Sequence, residues 1–152
     1  MVFARGWQRK CVILTLVATG CMATAPVTQD DCIGEWRGTK QSLYWMGEME
    51  TVPALRLERG GGAEFTDFPV RKGLSDFTLV SGRGTWALRE VSGDRRLYLR
   101  LPDIREGATT AITCTVRRTG KGLMFRATIG DPDAQRAVVF VQERAPSIRI
   151  SC

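Results

Sequence analysis

Side chains suited to proton transfer are scarce in this 152-residue chain. It has no histidine, the side chain most often used for proton transfer near neutral pH. Its acidic residues alternate with apolar ones or lie in turns such as Asp131-Pro132-Asp133, and no loop concentrates the six or more oxygen ligands that calcium needs. The Gly60-Gly61-Gly62 run lacks the lysine and helix of a phosphate-binding loop. We therefore expect a protein that is not an enzyme and that has no metal or cofactor.

The thiol of Cys21 is the first candidate for chemistry. Arg5, Arg9 and Lys10 precede an apolar run at residues 11–17, and small residues then lead to Gly20-Cys21. A cationic start followed by an apolar run too short to span a bilayer is typical of a secretory signal peptide. The Ala18-Thr19-Gly20-Cys21 sequence resembles the lipobox of bacterial lipoproteins, in which the cysteine becomes the lipidated first residue of the mature chain.

This resemblance implies a signal peptide at residues 1–20 and acyl chains such as palmitate on Cys21. The protein would then be anchored to a membrane of the bacterial cell envelope, on the extracytoplasmic side, since two or more acyl chains hold a small domain stably. Residues 21–31 lack periodicity and are predicted to form a lipidated tether, which leaves the domain at residues 32–152. The alternatives are ordinary cleavage after Ala23-Thr24-Ala25 and an uncleaved segment.

Three further cysteines, Cys32, Cys114 and Cys152, lack the C-x-x-C spacing of metal or redox sites. A compartment outside the cytoplasm permits disulfides, and one bridge with one leftover thiol is the simplest interpretation. The favoured disulfide is Cys32 with Cys152, because one residue opens the first strand and the other closes the chain. Three separate thiols are the alternative.

The charge of the chain is mildly basic. Half of the formal net charge of +6 comes from the predicted signal peptide, and the remaining arginines are dispersed among acidic residues. A nucleic-acid-binding protein usually shows a basic face interleaved with aromatic side chains, so we expect no nucleic-acid partner and interpret these charges as solvated strand faces. The length predicts one domain, which we expect to be monomeric.

Period-two alternation broken by Gly, Asp and Pro dominates from Ile33 onward, and it predicts antiparallel strands with one buried face. Trp36 is expected to point inward, as are Leu97, Leu99 and Leu101 of the clearest hairpin. In the last strand, Ala137, Val139 and Val141 are assigned to the inner face and Val138 and Phe140 to the outer one. Eight strands with short turns favour an all-β, eight-stranded antiparallel up-and-down barrel, because closure removes exposed edges. A β-sandwich is the competing architecture.

Four short motifs make the chain similar to lipocalin-like small bacterial lipoproteins over residues 33–144. They are Gly34-Glu35-Trp36, Thr66-Asp67-Phe68-Pro69, Gly84-Thr85-Trp86 and Gly130-Asp131-Pro132-Asp133. The resemblance implies that the indole of Trp36 packs across one end of the barrel, with Arg144 as the arginine over it. It implies architecture more than ligand, because a fold does not determine a function.

Two longer connections, residues 40–52 and 69–83, are the candidate binding segments. Tyr44, Trp45, Met46 and Met49 concentrate large apolar side chains in the first, and Phe77 lies in the second together with Leu74 and Leu79. Such residues either form a lid or a partner surface at the barrel mouth or plug that end as core. Bulky inward side chains indicate a narrow or closed cavity.

These observations predict a lipid-anchored, non-enzymatic binding protein. It would bind a small apolar ligand or another envelope component at the open end of the barrel. The alternative is an inhibitor or immunity-type lipoprotein that blocks a secreted enzyme or toxin.

Overall fold

Eight antiparallel strands form a closed barrel in the computed structural model, which describes residues 25–72, 76–102, 109–130, 133 and 135–143. The elements are α1 (Gln29–Cys32), β1 (Gly34–Gly38), a 3-10 helix (Lys40–Met46), β2 (Ala54–Leu57), β3 (Gly62–Arg71), β4 (Phe77–Val91), β5 (Asp94–Pro102), β6 (Thr109–Thr119), β7 (Gly122–Thr128) and β8 (Ala137–Gln142). Each strand pairs with the next, and β8 returns to β1 through Arg37↔Val141 and Gly38↔Phe140. The predicted lipocalin-like up-and-down barrel is confirmed over the sandwich.

Side chains fill the inside of the barrel. Trp36, Leu97, Leu99 and Leu101 are fully buried, as the alternation predicts, and the indole of Trp36 stacks on Phe125 with ring centroids 3.7 Å apart. A side chain with no exposed area touches no space wide enough for a water molecule. The barrel therefore holds a packed core, as an eight-stranded barrel can.

The predicted faces of β8 are wrong for Val138, Phe140 and Val141, whereas Ala137 is buried as predicted. Val138 and Phe140 are buried, whereas Val141 is 41% exposed; Phe140 pairs with inward-facing Phe125 of β7 and stacks on Phe68 at 5.5 Å. Nearly every residue of this strand is apolar, so the sequence pattern does not indicate which of its two faces is buried. The register with the neighbouring strands decides that.

The second predicted connection, residues 69–83, is mostly strand. β3 extends to Arg71 and β4 begins at Phe77, so Leu79 pairs with Pro69 in the sheet, while Leu74 lies outside the described residues. A register shift between Phe65 and Phe68, with Asp67 at a φ of +48°, marks a β-bulge that interrupts the alternation. The sequence therefore looks like a loop where the chain continues as a bent strand.

One end of the barrel is closed by α1 and the β2–β3, β4–β5 and β6–β7 turns, and we call it the N-terminal end. The side chain of Thr28 caps α1 and Asp31 bonds back to Thr28, a reciprocal capping box. Val27 is buried, and the indole N–H of Trp36 donates to the carbonyl of Cys32 at 2.9 Å. Residues 27–31, predicted to lie in the tether, are thus part of the folded domain. The indole of Trp36 lies at this end of the barrel, and the family resemblance itself stays a prediction. Arg144 lies outside the described residues.

Candidate functional site

The opposite end carries the 3-10 helix and the β3–β4 and β7–β8 connections, and we call it the helical end. Ser42 attaches the helix to β8, because its Oγ accepts from the backbone N–H of Val139 at 2.9 Å and donates to the carbonyl of Thr39 at 2.8 Å. The backbone N–H of Thr39 also donates to the carbonyl of Val139. The segment predicted to be a lid or a plug is therefore a short helix fixed to the rim of the barrel.

Trp45 joins this helix to two neighbouring connections. Its indole N–H donates to the carbonyl of Ala137 at 3.1 Å, and its ring meets Phe77 edge-on with centroids 4.9 Å apart. The guanidinium of Arg136 lies over the ring of Phe77, 5.0 Å from its centroid, a cation–π arrangement. The sequence analysis missed Arg136, because only the fold brings it to Phe77.

The five predicted site residues differ in exposure. Tyr44 is 74% exposed, whereas Trp45, Met46, Met49 and Phe77 are partly buried against the core. Leu43, in the same helix, is buried and acts as the plug. One side of the helix therefore faces the core and the other faces solvent, and the interpretation of the segment as a lid or partner surface stays a prediction.

Two grooves flank the helix, so the five residues do not form one pocket. Trp45, Met46 and Phe77 line a groove of about 480 Å³ together with Lys72 and Asp76. Met49 lies in a separate groove of about 500 Å³, whose lining residues are Lys40, Leu43, Gly47, Glu48, Met49, Glu50, Thr51 and Val52. Each groove combines an apolar floor with charged residues, a composition suited to one side chain of a protein partner or to a small amphipathic ligand.

No family model, curated protein or solved structure matches this chain. The site must therefore be argued from its own residues. Within the described residues, no three His, Cys, Asp or Glu side chains are placed to hold a metal ion. In that same part of the chain no helix has both the length and the apolar character needed to cross a membrane.

The two described cysteines are buried thiols. Burial raises the pKa of both Cys32 and Cys114 to about 12, and the charge of Asp31 adds to the shift at Cys32. Because the thiolate is the reactive form, neither thiol is suited to nucleophilic chemistry near neutral pH. Cys21 and Cys152 lie outside the described residues, so lipidation and the Cys32–Cys152 pairing stay predictions.

Proposed function

We propose that this protein is a lipid-anchored, extracytoplasmic binding protein that recognises another envelope protein through the helical end of its barrel. The observation that carries the proposal is the surface around the 3-10 helix, where exposed Tyr44 adjoins the half-buried Trp45, Met46 and Phe77. Tyrosine and tryptophan are the side chains most enriched where binding energy concentrates in protein interfaces. The barrel binds its partner without catalysing a reaction on it.

The packed interior supports recognition on the surface over a ligand inside the barrel. Full burial of Trp36, Phe68 and Phe140 leaves no water-sized space against these side chains. A small apolar ligand would then have to bind in a groove, either beside the 3-10 helix or beside β6, where Val70, Ile112 and Ile129 line a space of about 540 Å³. The Met49 groove has the volume of a small ligand pocket, but carboxylates at Glu48 and Glu50 border it, and they disfavour a purely apolar molecule.

The position of the proposed lipid anchor also supports partner binding at the helical end. The chain enters the domain at Val27 and α1, at the N-terminal end, so a lipid on Cys21 would hold that end near the membrane. β5 has nine residues; with ~3.3 Å per residue and the usual tilt of barrel strands, it separates the two ends by roughly 20–25 Å. Tyr44 and Trp45 would then face away from the membrane, where a protein partner has access.

An inhibitor or immunity-type lipoprotein is the second candidate, and the rigidity of the helix favours it. The hydrogen bonds of Ser42 and Trp45 fix the helix to β8, so little conformational entropy is lost when Tyr44 enters the cleft of a target. The two candidates use the same surface and differ in the class of the partner.

Photo-crosslinking from two exposed positions tests the surface. A photoreactive amino acid at position 44 is compared with one at position 59, because Arg59 is similarly exposed, at 80% of its side chain, but lies at the N-terminal end. The proposal expects one discrete protein adduct from position 44 in intact cells and none from position 59. Equal adducts from both positions would refute it, as would a small molecule retained by the native protein in mass spectrometry with no adduct at position 44.

The anchor is tested separately with a fatty-acid probe. Cells expressing the natural protein should incorporate the label and retain the protein in membranes, and Cys21→Ser should abolish both. An unlabelled, soluble natural protein would contradict the anchoring part of the proposal and leave the crosslinking result to stand on its own.

A further inference from the structure

Charges on the outer wall of β1–β4 alternate in sign across the strands. The register places Glu35 opposite Arg56, Arg56 opposite Glu64, and Glu64 opposite Arg83. Directly opposed residues have Cβ atoms about 5 Å apart, and opposite charges there are stabilising. We call this row the compensated ladder.

The wall of β4–β7 has no carboxylate directly opposite the arginines of its outer face; Asp94 lies on the same face as Arg96, two residues before it, but pairs with Val91. Arg89 of β4 lies opposite Arg96 of β5, Arg96 opposite Thr115 of β6, and Thr115 opposite Arg126 of β7. Arg100 lies on the same face, since it alternates with buried Leu99 and Leu101. Within the described part of the chain, neither these arginines nor Arg56 and Arg83 of the compensated ladder form ion pairs, so the two walls differ in which charges the register places opposite each other. We call Arg89, Arg96, Arg100 and Arg126 the arginine face.

Two of these guanidinium groups have contacts with the wall itself. The guanidinium carbon of Arg89 lies 5.4 Å from the ring centroid of Tyr98, a cation–π contact. The Nε of Arg96 is buried without a hydrogen-bond partner among the described residues. A groove of about 540 Å³ reaches Arg96; Thr113 and Thr115 line it, together with buried Val70, Ile112 and Ile129.

We propose that the arginine face binds the phosphate groups of an anionic membrane surface. Like charges directly opposed in a sheet are destabilising, and an anionic partner removes that cost. The guanidinium fork matches phosphate oxygens in a bidentate geometry, and Thr hydroxyls beside Arg96 add donors. Several cations spread over one barrel wall fit an array of headgroups better than one small anion.

A membrane fits this face better than a nucleic acid does. Single-stranded nucleic acids need aromatic platforms on which bases stack, and among the described residues Tyr98, the aromatic side chain beside Arg89, is covered by that arginine. The inference goes beyond the proposed function, because it uses the side wall and not the helical end. It does not require lipid on Cys21.

Vesicle binding of matched double variants tests the proposal. Arg96→Gln with Arg126→Gln removes two charges from the arginine face, and Arg56→Gln with Arg83→Gln removes two from the compensated ladder. All are made in the full chain, so any contribution of residues 1–24 is common to them. Binding is measured by co-sedimentation with phosphatidylcholine vesicles that contain or lack phosphatidylglycerol, and an unchanged near-ultraviolet circular dichroism spectrum shows that each variant is folded.

The natural protein should bind vesicles that contain phosphatidylglycerol more tightly than vesicles that lack it. This preference should fall roughly 5-fold for each arginine of the face that is removed, or about 30-fold for Arg96→Gln with Arg126→Gln. It should fall less than about 3-fold for the control pair. Binding should also weaken as salt is added. Equal losses in the two pairs would show a net-charge effect and overturn the proposal. So would the absence of any preference for anionic vesicles in the natural protein.

Two competitors distinguish the source of the phosphate. Inorganic phosphate, at the same ionic strength as a chloride control, should not displace the vesicles more than chloride does. Displacement by millimolar phosphate would identify a site for a free anion and overturn the membrane assignment. Tighter binding of a single-stranded oligonucleotide, lost in the Arg96/Arg126 variant, would overturn it in favour of a nucleic-acid partner.

Discussion

Arg96→Gln should stabilise the barrel at low ionic strength, although it removes a wild-type side chain. Arg96 lies directly opposite Arg89, and like charges at directly opposed positions destabilise a sheet by roughly 0.2–1 kcal/mol. The substitution also removes the buried Nε that lacks a partner. We therefore expect the free energy of unfolding to rise by roughly 0.5–1 kcal/mol. The control, Arg83→Gln, loses its attraction to Glu64 and should lower that free energy by up to about 0.5 kcal/mol.

Urea unfolding at low and high salt measures whether each substitution raises or lowers the free energy of unfolding. With a typical denaturant dependence of ~1.5 kcal/mol/M, Arg96→Gln should raise the urea midpoint by roughly 0.5 M at low salt. Near 1 M salt the screening length falls to ~3 Å, so the charge–charge part of both shifts should shrink towards zero, and any stabilisation that Arg96→Gln retains comes from removal of the buried Nε. If Arg96→Gln destabilised the protein as much as Arg83→Gln at low salt, the two ladders would not differ in charge compensation. The reasoning behind the arginine face would then fail.

Three further predictions concern the N-terminal end and the thiols. Trp36→Phe removes the buried hydrogen bond to the carbonyl of Cys32 and should cost about 1–3 kcal/mol in urea unfolding; an unchanged midpoint would show that the bond does not hold this end closed. Hydrogen bonds from Thr28 and the nearby Arg118 lower the pKa of Asp31, so its stabilisation is present above the unfolded pKa and is lost as pH falls through the folded value. Asp31→Asn should therefore reduce stability at pH 7 and flatten the acid side of the profile, and a profile like that of the natural protein would contradict this assignment. Because burial raises their pKa values to about 12, Cys32 and Cys114 should resist alkylation at pH 8 until urea unfolds the barrel, and rapid labelling of the folded protein, mapped by mass spectrometry, would contradict the buried core.

Local alternation was enough to predict the barrel. Leu97, Leu99 and Leu101 share a face by spacing alone, and all three are buried. The buried face of β8 could not be predicted in this way, because apolar residues occupy both of its faces. Only pairing with β1 and β7 places Phe140 in the core. The bulge near Asp67 was also missed, since a sequence shows broken alternation but not whether the chain turns or bends.

The candidate site was predicted in composition but not in arrangement. The apolar residues of the 3-10 helix stood out in the sequence, whereas their division between core and solvent depends on the hydrogen bonds of Ser42 and Trp45 to β8, which are 97 and 92 positions distant in the chain. The arginine face was missed for a similar reason. Arg89, Arg96 and Arg126 are each surrounded in sequence by neutral or mixed residues, and only the strand register brings them into one row.

The distribution of unfavourable charge around the barrel points to where selection acts on it. Among the described residues the core side chains Trp36, Phe68 and Phe140 are fully buried, which favours binding at the outer wall, the grooves or the two ends. The compensated ladder of Glu35, Arg56, Glu64 and Arg83 shows that this chain can neutralise a strand face. The arginine face keeps directly opposed cations instead, at a cost in folding free energy. The loss of folding free energy from opposed cations is confined to the arginine face, and the compensated ladder avoids it. Such a difference is expected when a partner supplies negative charge to the arginine face. If the Arg96/Arg126 variant were more stable than the natural protein and still bound anionic vesicles equally well, that cost would have no compensating function.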